Sequence, residues 1–207
     1  MSLSSLKSSS SDDLTIPPIP LFVSIVGSST RFVVSASVLL YYSYVLSPTA
    51  TLLVSTAVVN AFLGKTVKRI LSTPRPPNSP IKDPKDSGMP SSHGVSLGYL
   101  SVSAINLHPF GAMPSLLLLG YCGVGLWYRV LRGLHTWPQV VVGYLFGATN
   151  AAIFWNSPAY PYLEGYIRGA MGDKVDVKTA GVILVVGAVV VGWREISKAK
   201  RFVVKKE

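Results

Sequence analysis

Long stretches without charged residues are the dominant pattern in this sequence. Residues 32–64, 88–128 and 133–163 contain no Lys, Arg, Asp or Glu. Each stretch exceeds the ~20 apolar residues that cross a bilayer as a helix, and residues 179–193 nearly reach that length. Breaks containing proline at residues 46–51 and 107–114 divide the first two stretches. The pattern therefore predicts an all-α, polytopic membrane helix bundle with about five transmembrane helices.

Prolines, capping residues and basic clusters bound the candidate spans. Six candidate segments result, one more than the estimate of about five because the last only nearly reaches the length of a span: residues 32–46, 50–71, 91–107, 114–129, 137–155 and 177–193. Residues 21–31 are too short to cross and are expected at the membrane interface. Residues 156–174 are interrupted by Pro and Gly, so they are expected on the surface. If consecutive spans are antiparallel, the end of the second, the start of the third, the end of the fourth and the start of the fifth share one membrane face.

The ends of the chain differ from its centre in composition. Residues 1–20 are Ser-rich with no apolar run near the start, and we expect a disordered tail rather than a secretory signal. Residues 21–193 form the predicted transmembrane domain, and residues 194–207 a basic tail against anionic lipid.

The formal net charge is +10. In a membrane protein, basic residues more often mark the cytoplasmic side or anionic headgroups, so no nucleic-acid partner is expected. A single cysteine, Cys122, excludes an internal disulfide.

Polar and ionisable residues gather at the four helix ends predicted to share a face. They are Lys65, Lys68, Arg69, Arg75, Ser91, Ser92, His93, Arg129, Arg132 and His135. Polar and ionisable groups cost free energy at membrane-spanning segments, so their gathering at one face indicates a functional site. Several cations with two histidines and almost no carboxylate predict a site for a multiply charged anion. No Asp or Glu lies between residues 87 and 163 to bind Mg²⁺ or Ca²⁺, and two histidines make a poor zinc site. We therefore expect no metal and no cofactor.

This set of residues fits phosphoryl transfer without a metal. Guanidinium groups match phosphoryl oxygens, and the free N–H groups where the third span begins add anion donors. One histidine can attack phosphorus while the other protonates the departing oxygen.

Three short motifs resemble the signatures of the type 2 phosphatidic acid phosphatase and vanadium haloperoxidase superfamily. They are KRILSTPRP (68–76), PSSH (90–93) and RVLRGLH (129–135), and the resemblance covers about residues 45–155. The family pattern is K-x6-R-P, then P-S-x-H, then S-R-x5-H-x3-D. Order and internal spacing agree, but Tyr128 stands where serine is usual and Gln139 stands where the family has aspartate. The segment HTWPQV is similar to the third signature of dolichyl diphosphatases and plastid-type lipid phosphate phosphatases, in which glutamine occurs here.

The resemblance implies a role for each matched residue. Phosphate would be held by Lys68, Arg75 and Arg129, with Ser91 and Ser92 as further donors; His93 would be the general acid and His135 the nucleophile that becomes a phosphohistidine. In the family, the aspartate at the place of Gln139 orients the nucleophilic histidine. If His135 and Gln139 share a helix, their i,i+4 spacing places them on one face. The glutamine oxygen would then accept from Nδ1–H of His135 and leave Nε2 free to attack.

Several functions share these residues. We favour a metal-independent lipid phosphate phosphatase acting on phosphatidate, with dolichyl or polyprenyl diphosphatase as the alternative. A non-catalytic lipid-phosphate binding protein is the alternative from another class, and the spans argue against a haloperoxidase, whose known relatives are soluble. The expected partners are the lipid phosphate substrate and membrane lipids, in the endoplasmic reticulum or the plastid envelope. The particular lipid, the organelle and the oligomeric state stay open.

Overall fold

The computed structural model describes residues 18–81, 86–108 and 111–171, and this part of the chain contains six helices and no strand. The helices are α1 (Leu21–Val45), α2 (Pro48–Leu71), α3 (Ser92–Leu107), α4 (Ala112–Leu131), α5 (Trp137–Trp155) and α6 (Ala159–Met171). The prediction of an all-α bundle is confirmed. The predicted tails at residues 1–17 and 194–207 and the predicted span at 177–193 lie outside the described residues.

Capping residues set the start of the helices that coincide with predicted spans. The side chain of Ser47 accepts a hydrogen bond from the backbone N–H of Ala50, and Pro48 follows at the first helical position of α2. The side chain of Ser91 caps α3 in the same way, by accepting from the N–H of Gly94. Helix α5 spans the predicted residues 137–155 without a shift.

Helix α1 corrects one of the predictions. Residues 21–31 were expected as a separate interfacial segment, but they form the first turns of a helix that continues to Val45. No further proline follows Pro20 within this stretch, and the single Gly27 is tolerated, so the helix starts immediately after Pro20. The two parts, Leu21–Thr30 and Phe32–Val45, meet at a bend of 47°. The hydroxyl of Thr30 donates to the carbonyl of Val26 just before the bend, a contact that often bends helices.

The structure supports part of the predicted number of spans. By length and composition α2 and α4 can each cross a membrane, and α1 adds a third span if its two bent parts cross together. Helix α3 has 16 residues and is shorter than the ~20 residues of an ordinary span. Helix α6, with 13 residues, is shorter still, although it forms despite one proline and two glycines within it. The count of about five spans stays a prediction.

Helices α3 and α5 form the most extensive helix pair, and glycines allow their close approach. A Cβ atom added at Gly98 would lie 2.0 Å from the backbone carbonyl oxygen of Tyr144. One added at Gly147 would lie 2.0 Å from the backbone carbonyl oxygen of Val95. Gly94 and Gly143 make similar approaches one turn earlier, so each helix carries a G-x-x-x-G motif on the contact face. Because the contacts advance in the same direction along α3 and α5, the two helices are parallel and both begin at the same end of the bundle.

Candidate active site

The predicted site residues lie where α2 and α4 end and where α3 and α5 begin. Three contacts join these ends: the N–H of Ser91 donates to the Gln139 carbonyl at 3.0 Å, His93 contacts Arg129, and Arg75 Nη1 donates to the Leu134 carbonyl at 2.7 Å. The loop between α2 and α3 therefore folds over the turn between α4 and α5. Two helix N-termini, whose partial charge is positive, are directed towards this end.

His135 is held in the turn between α4 and α5. Gly133 allows this turn because its φ of +62° lies in the left-handed region that glycine adopts easily. The ring nitrogen Nδ1 of His135 lies 2.9 Å from the carbonyl oxygen of Gly88. A carbonyl oxygen only accepts, so Nδ1 carries the proton and Nε2 keeps its lone pair. The side chain is only 7% exposed.

The environment of His135 disfavours its charged form. The pKa of this imidazole is lowered from 6.5 to about 4, because burial and the positive charges of Arg75 and Lys68 outweigh the hydrogen bonds to Gly88 and Gln139, which raise it. At neutral pH the ring is therefore uncharged, with an unprotonated Nε2. This is the protonation state that a nucleophilic histidine needs.

The main hydrogen bonds of Gln139 are not the expected one, although a side-chain hydrogen bond between Gln139 and His135 acts to raise the pKa of the imidazole. Helix α5 starts at Trp137, so His135 precedes the helix and the i,i+4 argument does not apply. The side-chain oxygen of Gln139 instead accepts from the N–H of Thr136 at 3.1 Å, and Nε2 donates to the carbonyl of Pro74 at 2.9 Å. Gln139 thus caps α5 and holds the α2–α3 loop, while the backbone of Gly88 provides the acceptor for His135.

Lys68 and Arg75, the first two predicted phosphate ligands, share the carboxylate of Asp86. Lys68 Nζ lies 2.5 Å from Asp86 Oδ1, and Arg75 Nη2 lies 2.8 Å from Asp86 Oδ2. Arg75 is also held by the backbone, because Nε donates to the Asp86 carbonyl at 3.1 Å and Nη1 donates to Leu134. Partial burial alone would raise the pKa of Asp86, but the hydrogen bonds and charges of the two cations outweigh burial and hold it below the usual value.

Arg129 and His93 form a second pair opposite this loop. Arg129 lies in the last turn of α4 and His93 in the first turn of α3, and a guanidinium nitrogen contacts His93 Nε2. A guanidinium only donates, so Nε2 of His93 is the acceptor in this arrangement. The third predicted phosphate ligand therefore reaches the predicted general acid directly.

The two serines differ in their surroundings. Ser91 is fully buried, and both its backbone N–H and its side-chain oxygen already take part in hydrogen bonds, to Gln139 and from Gly94. Ser92 is exposed at the first position of α3, where helix N–H groups lack partners within the helix. Ser92 is therefore better placed than Ser91 to meet an anion from solvent.

Sequence reasoning missed Asp86 and Gly88. Asp86 immediately precedes the stretch that was noted for its lack of carboxylates, and its position in the loop between two motifs is the signal that identifies it. Gly88 acts through its backbone oxygen, which no residue type reveals. Within the described ranges, no three His, Cys, Asp or Glu side chains form a group that can hold a metal ion.

The all-α bundle, with cations and histidines gathered at the ends of apolar helices, defines a helical membrane protein. Residues 44–162 match the family model of the PAP2 superfamily, and the chain belongs to that superfamily.

Two curated relatives are plant proteins. Lipid phosphate phosphatase epsilon 2, chloroplastic, of Arabidopsis thaliana is 36% identical over 115 residues, which cover 49% of this chain and 38% of the relative. Lipid phosphate phosphatase epsilon 1, chloroplastic, of the same plant is 33% identical over 111 residues, covering 49% of this chain and 39% of the relative. The chain thus spans about two-fifths of the length of each relative. No solved structure matches it significantly.

Proposed function

We propose that this protein is an integral-membrane phosphatase that hydrolyses a lipid phosphomonoester or diphosphate through a phosphohistidine, without a metal. The observation that carries the proposal is the tautomer of His135. Its Nδ1 is hydrogen-bonded to the Gly88 carbonyl, so Nε2 is unprotonated and is the nitrogen available for attack. The charges of Arg75 and Lys68 act on this ring, and Arg129 lies at the same end of the bundle against His93. All three charges suit phosphoryl oxygens.

The proposed reaction has two steps. In the first, Nε2 of His135 attacks phosphorus, the bond from phosphorus to the lipid oxygen breaks, and His93 gives that oxygen a proton. In the second, His93 removes a proton from water, the resulting hydroxide attacks the phosphohistidine, and inorganic phosphate leaves with His135 restored. The three cations stabilise the negative charge of the transferring group in both steps.

The position of His93 supports its role as acid and base. Its Nε2 accepts a hydrogen bond from Arg129, and a phosphate group would attract the same guanidinium. Binding of the anion would therefore free Nε2 to take up a proton from solvent, which His93 then gives to the leaving oxygen, while Arg129 turns to phosphoryl oxygen. This exchange would couple substrate binding to the readiness of the acid.

Phosphatidate is the favoured substrate, and a dolichyl or polyprenyl diphosphate is the alternative. The names of the two relatives describe lipid phosphate phosphatases and place both in chloroplasts. They support the lipid phosphate class and favour the plastid envelope over the endoplasmic reticulum for this chain. We assign the phosphatase domain to residues 21–193, with residues 45–155 as its catalytic core.

Phosphate release from purified protein tests this proposal. The protein would be assayed in detergent with EDTA against phosphatidate, lysophosphatidate, polyprenyl phosphate and polyprenyl diphosphate, with His135→Ala as the inactive control. We expect EDTA-resistant release, fastest with phosphatidate. Binding of these lipids without release from any of them would identify a non-catalytic binding protein and contradict the proposal.

A further inference from the structure

Asp86 occupies the position that the phosphate of a substrate would take on two of its ligands. Each of its carboxylate oxygens contacts a different cation, Lys68 at 2.5 Å and Arg75 at 2.8 Å. Two oxygens of one phosphoryl group would make the same pair of contacts. The carboxylate therefore resembles a ligand more than a distant counter-charge.

We propose that Asp86 is an intramolecular competitor for phosphate, which is displaced when substrate binds and returns to Lys68 and Arg75 when product leaves. The inference rests on the proposed function and deepens it, since it assigns a residue that sets the affinity for substrate and product. The chemical need is clear: three cations in a partly buried site would bind inorganic phosphate tightly and release it slowly. A tethered carboxylate lowers that affinity.

The exposures of the three side chains allow this exchange. The side chains of Lys68 and Arg75 are 14% and 9% exposed, whereas that of Asp86 is 39% exposed. The cations are thus fixed in the site, and the carboxylate lies on the solvent side of them. Asp86 can swing into water without disturbing a core.

Arg75 does not depend on the carboxylate for its position. Two of its contacts, Nε to the Asp86 carbonyl and Nη1 to the Leu134 carbonyl, use backbone oxygens and persist when the Asp86 side chain is changed. A substitution at Asp86 therefore removes the competitor and leaves the guanidinium in place. If Asp86 instead served to position the cations, the same substitution would weaken phosphate binding.

The test is calorimetric titration of the purified full chain in detergent with inorganic phosphate at neutral pH. We expect Asp86→Asn to bind phosphate roughly tenfold more tightly than the wild type. This change in affinity corresponds to an interaction stronger than an exposed ion pair and weaker than a buried one. Glu164→Gln is the matched control, because Glu164 is also paired with an arginine, Arg168, but lies in α6 at the other end of the bundle. It should leave the affinity unchanged.

Hydrolysis by the same variants supplies a second measurement. In Asp86→Asn we expect KM and the inhibition constant for phosphate to fall together, without a rise in kcat. If the wild type binds phosphate and Asp86→Asn binds it equally or more weakly, the role proposed for Asp86 is overturned. The proposed function is not affected by that result. If neither protein binds phosphate, both this inference and the proposed function fail. Asp86→Ser replaces Asp86→Asn if the asparagine variant does not fold.

Discussion

The ring nitrogen Nδ1 of His135 lies 2.9 Å from the backbone oxygen of Gly88, in a loop that belongs to a different motif. The Gly88 peptide is itself fixed, because its N–H donates to the carbonyl of Thr73 at 2.6 Å. A rigid backbone acceptor therefore selects the tautomer of His135 in a protein that has Gln139 where its family has aspartate. A carbonyl orients the ring but gives less stabilisation to a positive charge than a carboxylate does.

Substitution of Gly88 tests this relationship. A Cβ atom at Gly88 would lie 2.4 Å from Nε2 of Gln139, so Gly88→Ala must shift the loop or the amide. Since a displacement of about 1 Å near reacting groups can cost a hundredfold in rate, we expect kcat to fall by roughly that factor. Gly120→Ala is the control, because a Cβ there meets nothing within 4 Å. Equal kcat in both variants would show that the Gly88 carbonyl is not needed.

Gln139 is predicted to act mainly through the structure of the loop and of α5, with a smaller effect through its hydrogen bond to His135. Gln139→Leu removes both the cap on Thr136 and the bond to Pro74, so we expect a loss of about 1 kcal/mol or more in stability and a lower kcat. Gln139→Glu keeps the capping oxygen and should lose less stability. Thermal unfolding and phosphate release, measured on both variants, check this order. A Gln139→Leu protein with wild-type stability and activity would refute it.

The lowered pKa of His135 predicts a pH-dependent stability. The unfolded chain binds this proton near pH 6.5, whereas the folded chain binds it only near 4. The contribution to stability is complete above about pH 6.5 and is lost as the pH falls towards about 4. His135→Asn keeps a donor for Gly88 but cannot titrate, so its melting temperature should fall less than that of the wild type over this range. If the melting temperatures of the two proteins fall equally as the pH is lowered, the argument that burial lowers the pKa of His135 is contradicted.

The direction in which the site faces bears on the substrate. The predicted layout leaves only Arg168, Lys174 and Lys178, of 19 Lys and Arg, on the side opposite the site. In that layout the basic C-terminal tail is predicted on the same side as the site, and juxtamembrane basic residues favour the cytosol or stroma. We therefore expect protease to remove a C-terminal tag from sealed microsomes or envelope vesicles. A protected, lumenal tag would favour dolichyl diphosphate, since resemblance implies a lumenal site for those enzymes.

Sequence patterning located the helix ends at the site because local signals mark them. Ser91 caps α3, a proline follows the start of α5, and basic residues end α2. The start of α1 was misplaced since its polar residues satisfy their hydroxyls on the helix itself. The contacts of His135 and Asp86 depend on loop folding between distant segments, which neither periodicity nor capping specifies.

Direct detection of the phosphoenzyme tests the central claim most sharply. Protein mixed with phosphatidate would be quenched in alkali, since phosphohistidine is acid-labile, and the modified peptide would be identified by mass spectrometry. We predict phosphate on His135 in the wild type, slower formation by ~10²–10⁴-fold in His93→Ala, and neither phosphoenzyme nor turnover in His135→Ala. Phosphate on another residue, or turnover retained in His135→Ala, would contradict this account.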